Sequence, residues 1–422
     1  MRKLRIAGTV AIFLSIFFCR LEGAACPDLK SSFLQKCGSK LYLGGQEFRE
    51  IGFNFYKAFR LYLDRGWDDF PEGKGREFAR KNLETLAAHN FHIIRVMGPF
   101  HSPEFYEVFF DDDPTVQSRK RKEYFAALTE FFDDCDRLNI WVDFSLYWNV
   151  QSLADLGHHS LREGMTNPKS LGYKRFAEYT TAVVKHARKW PKIIFEIGNE
   201  NNFLADLEAS ADWAKSGVFT DSPTGIGRVY RGPDNNINSY ELARFFRRVI
   251  LLVKSVDGRR LIVTGNAEPK PNAWHMLRAA VGGPGLNIEN ENLADQESYL
   301  RLVESDADIV SSHLYINEHI GSRWYVDVAK KMGKPLFMGE VGPHFERVGE
   351  KIIGADYSDP KVIKDVENKS RDLVEAGVSI SLWWNYNCID RDPVAFKLCH
   401  GKTDEALKII EDSNRKIKKR HE

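Results

Sequence analysis

The sequence lacks an excess of charge of either sign. Its 422 residues contain 60 Lys and Arg and 59 Asp and Glu, so the formal net charge is +1. Nucleic-acid-binding domains carry a strongly basic surface, and this balance excludes such a surface over the whole chain. The basic end of the chain, residues 414–422, is interpreted as a solvated helix end. We therefore predict no nucleic-acid partner.

Metal-binding and phosphate-binding motifs are also missing. No pair of cysteines has the Cys-x-x-Cys spacing of zinc sites. His158 and His159 have no third ligand at a suitable spacing, and residues 57–69, after the first apolar run, contain no GxGxxG motif for a dinucleotide. The sequence therefore predicts neither a metal nor a cofactor.

Long apolar runs are absent after residue 25. No later segment approaches the roughly 20 apolar residues that span a bilayer. Within residues 1–25, a basic start precedes a short apolar run and then small residues at 23–25, which is typical of a secretory signal peptide. We predict a signal peptide at 1–25, a secreted, extracellular protein at 26–422 and no membrane span. Because cleavage would leave Cys26 first, a lipid anchor there is the alternative in a bacterium.

Cysteines are few, with six in the chain. Export would permit disulfides. Cys26 with Cys37 and Cys388 with Cys399 would each close a short loop, and we predict these two pairs. Cys135 falls within a helical pattern and is predicted to be a buried free thiol.

Short apolar runs recur along the chain and alternate with segments of helical periodicity. The eight runs span residues 51–56, 91–97, 141–148, 193–200, 261–266, 308–316, 335–342 and 379–386. Continuous hydrophobicity of this kind is typical of a parallel sheet that is covered on both faces. Eight such alternations predict an α/β fold, the (β/α)8 TIM barrel. A doubly wound sheet is the structural alternative, which the missing phosphate loop disfavours.

The segments between the runs complete this prediction. Helices are predicted at 75–90, 121–138, 173–190, 239–256, 322–333, 360–377 and 404–417. Asn90, Gly333 and Gly377 lie shortly before strands, as residues that end helices do. The segment 38–48 is predicted as a hairpin that closes the barrel floor. No linker or repeat indicates a second domain, so 26–422 is predicted as one.

Three of the stretches that follow strands are long, namely 149–169, 201–238 and 267–295. We expect them to be loops on the C-terminal face of the barrel, where sites are built. The stretch 201–238 could wall off one end of a groove or border an open one, and its composition does not decide between them.

Two glutamates end apolar runs, Glu200 in the fourth and Glu340 in the seventh. Both should open onto one face, where their carboxyl groups could reach each other across the mouth. Two facing carboxyl groups suit glycoside hydrolysis, because one protonates the leaving oxygen and the other attacks the sugar carbon. At about 5 Å and an effective dielectric of about 20, their repulsion is about 3 kcal/mol. One of them would therefore stay protonated to about pH 6.

Four motifs carry a family resemblance: "EIGNE", "SSHLYI", "LFMGEVG" and "LWWNYN". Together they resemble glycoside hydrolase family 5 or a close relative among the clan A barrels, from about residue 40 to residue 415. The resemblance implies a retaining mechanism, with Glu200 as acid/base and Glu340 as nucleophile. It also implies that Glu196 supports the barrel interior.

The resemblance implies substrate-binding residues as well. The matching positions are Arg95, Asn199, His313, Tyr315 and Trp384. In the family, the asparagine holds the sugar 2-hydroxyl, the arginine orients the nucleophile and the tryptophan forms a floor under the sugar. Trp383 is the alternative to Trp384, because strand alternation turns only one of the two inward.

The sequence departs from the family pattern at two places, which leaves the subfamily open. Asn201 stands where the family usually has proline. The third run lacks the usual histidine, and Trp148 or Asn149 could take its place. Trp148, at a strand end, is also the best candidate for a ring that stacks on a sugar.

The sequence thus predicts a secreted, monomeric, metal-free retaining β-glycoside hydrolase whose partner is a polysaccharide or oligosaccharide. The favoured activity is that of an endo-β-1,4-mannanase, with an endo-β-glucanase close behind. The preference rests on a tryptophan-rich mouth and on the likeness of "SLYWN" to the third strand of some mannanases. A transglycosylase with the same glutamate pair and a non-catalytic carbohydrate-binding barrel are the alternatives.

Overall fold

A small antiparallel sheet closes the floor of the molecule. The computed structural model describes residues 30–63, 73–98, 110, 113–147, 152–206, 235–282, 291–315, 320–348, 351–389 and 396–419. The sheet consists of β1 (Gln35–Cys37), β2 (Lys40–Leu43) and β3 (Gln46–Phe48). Leu34 and Leu41 are buried in one cluster with residues of the barrel interior. The predicted floor hairpin is therefore present, with one additional strand.

Eight parallel strands form the barrel, one in each predicted run. They are β4 (Glu50–Asn54), β5 (Ile93–Met97), β6 (Trp141–Ser145), β7 (Ile193–Glu196), β8 (Ile262–Val263), β9 (Val310–Leu314), β10 (Leu336–Val341) and, after a hairpin of β11 (Glu346–Val348) and β12 (Lys351–Ile353), β13 (Ile380–Trp383). The strand order is β8-β7-β6-β5-β4-β13-β10-β9. Between its two ends, the backbone N–H of Asp308 donates to the carbonyl of Ile262 at 3.0 Å. The predicted (β/α)8 TIM barrel is confirmed.

Helices cover the outside of the barrel. They are α1 (Ala58–Tyr62), α2 (Lys74–Ala88), α3 (Pro114–Arg137), α4 (Ser152–Gly157), α5 (Leu161–Thr166), α6 (Leu171–His186), α7 (Ser239–Val256), α8 (Ala273–Ala280), α9 (Leu293–Val303), α10 (Ser322–Lys331), α11 (Pro360–Ala376) and α12 (Asp404–Lys419). Asn90, Gly333 and Gly377 have left-handed φ angles of 64°, 64° and 86°, which confirms the three predicted helix ends.

Two predicted loops are partly helical. The stretch 149–169 contains α4 and α5, and the stretch 267–295 contains α8 and the start of α9. Helices of one or two turns carry too few apolar repeats to produce a visible period in the sequence. The sequence therefore did not reveal these short helices within the two long stretches.

The barrel interior changes from apolar to charged toward the mouth. Three strands contribute buried apolar side chains to the floor cluster: Ile93, Trp141 and Ile194. Two residues further along the same strands, the buried side chains are charged: Arg95, Asp143 and Glu196. Residues two apart in a strand share a face, so these charges lie directly above the apolar floor. This charged layer lies next to the C-terminal ends of the strands, where the candidate site is found.

The cysteine predictions have mixed outcomes. Cys388 and Cys399 form the predicted disulfide, and Cys135 is a buried free thiol as predicted. Cys37 is disulfide-bonded, but Cys26 lies outside the described residues, as does the whole of the segment 1–25. In the part of the chain that the structure describes, none of the helices has the length and apolarity needed to cross a membrane.

Candidate active site

Glu200 and Glu340 come together at the mouth of the barrel. One carboxylate oxygen of each and Nδ1 of His313 all lie within 4.8 Å of one another. Glu340 lies in β10 and is buried, whereas Glu200 follows β7 and is half-buried. Two carboxyl groups at this separation can act on opposite sides of one glycosidic bond.

The backbone at Glu200 leaves the strand earlier than predicted. The fourth run was expected to be a strand to residue 200, but β7 ends at Glu196 and Glu200 has a left-handed φ of 51°. Its N–H donates to the carbonyl of Gly265 at 2.8 Å. A Cβ on Gly265 would lie 1.7 Å from the carbonyl oxygen of Gly198, so only glycine fits there. This close approach forms the turn that presents Glu200.

Arg95 joins the carboxylates of Glu196 and Glu340 through its guanidinium. Its guanidinium donates to both oxygens of Glu196 at 2.7 and 2.9 Å, to Glu340 Oε1 at 2.8 Å and to Asn199 Oδ1 at 2.7 Å. The side chain is fully buried. Burial alone would lower the pKa of Arg95, but Glu196 and Glu340 raise it above its usual value. Arg95 is thus a permanent cation that fixes the orientation of Glu340.

Asn54 is a member of this network that the sequence did not suggest. Its Oδ1 accepts from Arg95 at 3.0 Å, and its Nδ2 donates to the carbonyls of Gly339 and Leu382 at 2.9 and 3.2 Å. Asn54 is therefore tied to β10, the strand that carries Glu340, and to its neighbour β13. The available signal was a polar residue within the apolar run 51–56.

His313 and Tyr315 each contact one of the two glutamates. Tyr315 Oη donates to Glu340 Oε2 at 2.6 Å, and His313 Nδ1 lies 3.1 Å from Glu200 Oε1. Burial lowers the pKa of His313, but Glu340 and Glu200 outweigh burial, and the net shift is upward. Burial and then Glu340 raise the pKa of Tyr315 well above its usual value. Tyr315 is therefore a hydrogen-bond donor to Glu340, whereas the donor in the contact between His313 and Glu200 depends on the imidazole tautomer.

Asp143 is a second group that sequence reasoning missed. Its side chain is fully buried, its nearest contact to Arg95 is 3.6 Å, and neither of its oxygens has a hydrogen-bond partner among the described residues. Burial and then the charge of Glu196 raise its pKa well above the usual value, against the opposing effect of Arg95. Asp143 therefore binds its proton more tightly in the folded protein than a free aspartate does. An aspartate within an apolar run was the available signal.

Glu268 adds a third carboxyl group near the pair. The side-chain Nδ2 of Asn202 donates to the carbonyls of Ala267 and Glu268 at 3.1 and 3.2 Å, which fixes this segment beside the turn that follows Glu200. Burial raises the pKa of Glu268 to about 7, and the charges of Glu200 and Glu340 add to the shift. No sequence signal separated this residue from the rest of its polar stretch.

The two adjacent tryptophans have different surroundings. Trp383 is fully buried in the core outside the barrel. Trp384 is half-buried and stacks on Tyr56, with ring centroids 5.2 Å apart and an interplanar angle of 15°. The backbone N–H of Trp384 donates to the carbonyl of Val341 at 2.7 Å. Of the two, Trp384 is therefore the more accessible ring, and its backbone is joined to the residue that follows Glu340, while Trp148 lies outside the described residues.

Glu200, His313 and Glu340 also have the donor types and spacing of a small metal site. A cation held there would meet the guanidinium of Arg95, which already neutralises Glu340 at 2.8 Å. The donors to Glu340, Arg95 and Tyr315, suit its ionised oxygens without a metal.

No protein-family model matches the sequence, and no curated protein matches it either. Solved structures do match. An endo-1,4-β-mannanase from Rhizomucor miehei is 14% identical, with 92% of this chain and 100% of that chain covered and a TM-score of 0.59. A glycoside hydrolase family 5 mannosidase from the same organism is 15% identical, with 92% and 98% covered and a TM-score of 0.60.

An endo-β-1,4-mannanase from Thermotoga petrophila is 14% identical, with 90% of this chain and 78% of that chain covered and a TM-score of 0.55. At these identities the similarity concerns the fold. The chain thus folds like glycoside hydrolase family 5 mannanases and mannosidases over about nine-tenths of its length.

Proposed function

We propose that the protein is a retaining β-glycoside hydrolase, with Glu340 as nucleophile and Glu200 as acid/base. The observation that carries the proposal is that one carboxylate oxygen of Glu200 and one of Glu340 lie within 4.8 Å of each other. Retaining enzymes separate their carboxyl groups by about 5–5.5 Å, whereas inverting enzymes leave about 6.5–9.5 Å for a water molecule. The geometry therefore favours direct attack by a glutamate.

The environments of the two glutamates support different roles. Glu340 accepts hydrogen bonds from Arg95 and Tyr315, both of which stabilise an ionised carboxylate. Its side chain is 7% exposed, against 30% for Glu200. Glu200 is the more accessible group, as an acid that exchanges protons with a leaving group and with water has to be. Glu340 is thus suited to attack and Glu200 to proton transfer.

The reaction would proceed in two displacements. An oxygen of Glu340 attacks the anomeric carbon while the bond from that carbon to the leaving oxygen breaks, and the leaving oxygen takes the proton of Glu200. Water then attacks the same carbon and gives a proton to Glu200, and the bond to Glu340 breaks. Both glutamates return to their starting states.

Two neighbouring groups are placed to bind the sugar. Asn199 Oδ1 accepts from Arg95 at 2.7 Å, so the amide nitrogen is left to donate to a sugar hydroxyl. Trp384 offers a half-buried ring just after β13, the neighbour of the strand that carries Glu340, and aromatic faces stack on the apolar faces of pyranoses. Arg95, His313 and Tyr315 would act on the carboxylates themselves.

We favour β-1,4-mannan as the substrate and β-glucan as the second candidate. The support is that all three structures compared above are named as mannanases or a mannosidase. We also propose that residues 1–25 direct secretion, as polysaccharide degradation outside the cell would require. A transglycosylase would use the same glutamates with a sugar hydroxyl in place of water.

The roles of the glutamates are tested by two variants. Glu340→Gly should abolish hydrolysis, and azide should restore cleavage of an activated glycoside by taking the place of the missing carboxylate. Glu200→Ala should slow substrates with poor leaving groups most, because they need protonation. The half-buried Glu297 on α9, paired with Lys331, supplies the control variant Glu297→Gln. Wild-type rates in either glutamate variant would refute the assignment.

The substrate and the reaction type are tested by product analysis of the wild-type protein. Reducing-sugar release is measured on mannan, cellulose, xylan, laminarin and chitosan. Longer products at high acceptor concentration would indicate transglycosylation. Binding to one of these polysaccharides without any product at high protein concentration would indicate a non-catalytic barrel.

A further inference from the structure

Lys369, on the outer helix α11, contacts the barrel wall from the outside, at the C-terminal ends of the strands. Its Nζ donates to the carbonyl of Tyr315 at 2.8 Å, to the carbonyl of Gly342 at 2.8 Å and to Asp365 Oδ2 at 3.0 Å. These three contacts match the three N–H donors of an ammonium group. The side chain is largely buried, with 15% exposed. Lys369 is thus a fixed internal contact of the barrel wall.

The two carbonyls belong to the first residues beyond two neighbouring strands. Tyr315 follows β9, and Gly342 follows β10. A Cβ on Gly342 would lie 2.3 Å from Cε1 of Tyr315, so the tyrosine ring rests directly against the glycine backbone. One ammonium therefore holds the ends of both strands in a fixed relation.

These strand ends carry a contact to the proposed nucleophile. Tyr315 Oη donates to Glu340 Oε2 at 2.6 Å, and Glu340 lies two residues before Gly342. Asp365 extends the attachment, because its Oδ2 also accepts from the backbone N–H of His344 at 2.7 Å. The segment after Glu340 is thus bound to α11 at two points.

We propose that Lys369 is a positioning residue that holds the hydroxyl of Tyr315 on Glu340. The proposal rests on the proposed function, in which Glu340 is the nucleophile. Without the ammonium, the two carbonyls lose their shared donor and the strand ends can shift relative to each other. A nucleophile misplaced by about 1 Å can lose up to about a hundredfold in rate.

A second lysine, at the opposite end of β10, serves as a matched control. Lys334 lies before β10, is buried, and its Nζ donates to the carbonyls of Glu304 and Ser305, both at 2.6 Å. Lys334 thus joins backbone segments as Lys369 does, but at the floor. Its replacement should affect folding without affecting the mouth.

The experiment compares Lys369→Met with Lys334→Met in the full chain. Both variants should unfold at a lower temperature than the wild type. Only Lys369→Met should lower kcat, by about tenfold or more, with KM nearly unchanged because the sugar-binding side chains remain. Lys369→Arg keeps a cation with several donors and should recover part of the lost kcat.

The pH profile supplies a second measure. The groups that face Glu340 are Arg95, His313, Tyr315, Glu200 and Glu268. Of these contacts, Lys369→Met should loosen the one from Tyr315. An ionised carboxylate that loses a hydrogen-bond donor takes up a proton more readily. The acid limb of kcat/KM should therefore move to higher pH in Lys369→Met and stay in place in Lys334→Met.

The outcomes separate this proposal from the function on which it rests. A wild-type protein without glycosidase activity on any tested polysaccharide would refute the function. An active wild type, with equal kcat and equal acid limbs in the two methionine variants, would overturn the role of Lys369 alone. Lys369→Gln and Lys334→Gln, which keep a polar donor, are measured in parallel. If a methionine variant does not fold, the same comparison is made between these two.

Discussion

The floor and the mouth of the barrel use equivalent positions of the same strands with opposite chemistry. The floor positions of β5, β6 and β7 are apolar: Ile93, Trp141 and Ile194. The mouth positions, two residues later, are charged: Arg95, Asp143 and Glu196. Packing is sufficient for the floor, whereas a buried charged layer is costly unless its members pair. The difference indicates a structural role for the floor. The buried charged groups of the mouth are those that the proposed active site would require.

Two buried arginines make the comparison sharper. Arg260, just before β8 at the floor end, donates to the carbonyl of Ala187 at 2.7 Å and to Asp257 at 3.1 Å. Burial lowers the pKa of Arg260 to about 10, whereas carboxylates raise the pKa of Arg95. Arg260 therefore joins backbone segments, and Arg95 holds carboxylates in place. Burial alone does not distinguish a structural arginine from one that serves a site.

The largest expected effect comes from replacing these arginines in turn. Arg95→Met leaves Glu196 and Glu340 without their cation, so the free energy of unfolding should fall by about 3–5 kcal/mol. It should also lower kcat/KM by about 10²–10³-fold, as loss of a charge-stabilising donor commonly does. Arg260→Met should lower stability without lowering kcat. Urea denaturation and steady-state kinetics on mannan measure the two quantities.

Equal losses of kcat/KM in Arg95→Met and Arg260→Met would contradict the difference drawn between the mouth and the floor. They would mean that Arg95 acts through the fold alone. Arg95→Lys provides a further check, because lysine keeps the charge but lacks the planar fork that reaches Glu196 and Glu340 together. It should therefore stay well below the wild type in kcat/KM.

Asp143 should produce an intermediate effect, which is seen in stability. Its pKa is raised on folding above the usual value of 3.8, so the folded state binds the proton more tightly than the unfolded state. Stability then falls as the pH rises from that usual value toward the raised one, by up to about 1.4 kcal/mol per pH unit. Asp143→Asn removes the proton exchange. The variant should therefore lose less stability than the wild type as the pH rises above that usual value.

Asp134 on α3 is the control with the opposite sign. Despite burial, its hydrogen bonds with Arg80, Tyr62 and Arg137 hold its pKa below the usual value. Asp134 therefore stabilises the fold above the usual pKa, and this contribution is lost as the pH falls through the lowered value. Asp134→Asn should destabilise the protein at neutral pH. Parallel pH dependence in Asp143→Asn and Asp134→Asn would contradict the raised pKa of Asp143.

The same contrast explains which features could be predicted from the sequence. The strands were found because their buried faces are apolar throughout, and the helix ends at Asn90, Gly333 and Gly377 because left-handed residues favour Asn and Gly. Glu340 was placed in its strand for the same reason. These features depend on local composition, which a sequence displays directly.

The missed features depend on contacts between distant segments. The turn at Glu200 requires the backbone of Gly265 to approach Gly198, 67 residues earlier in the chain. The roles of Asn54 and Asp143 depend on the position of Arg95 on the neighbouring strand β5. The family resemblance supplied the glutamates and their donors, but it could not supply groups for which no motif was recognised.

Glu268 should give the smallest effect, confined to the alkaline side of the activity profile. Its pKa is about 7, so it becomes charged near neutrality beside Glu200 and Glu340. A negative charge there helps Glu200 to keep the proton that it must donate. Glu268→Gln should therefore move the alkaline limb of kcat/KM to lower pH, by about one unit or less, and leave the acid limb in place.

Glu291 supplies the matched control for this last comparison. Burial also raises its pKa to about 7, but its carboxylate accepts hydrogen bonds from the backbone N–H groups of Trp274 and His275 at the start of α8 and from Nε2 of Gln296. Glu291→Gln should therefore leave both limbs unchanged. If the two variants have the same pH profile, the charge of Glu268 has no measurable effect on Glu200. The electrostatics of the site would then depend on Arg95 and its partners.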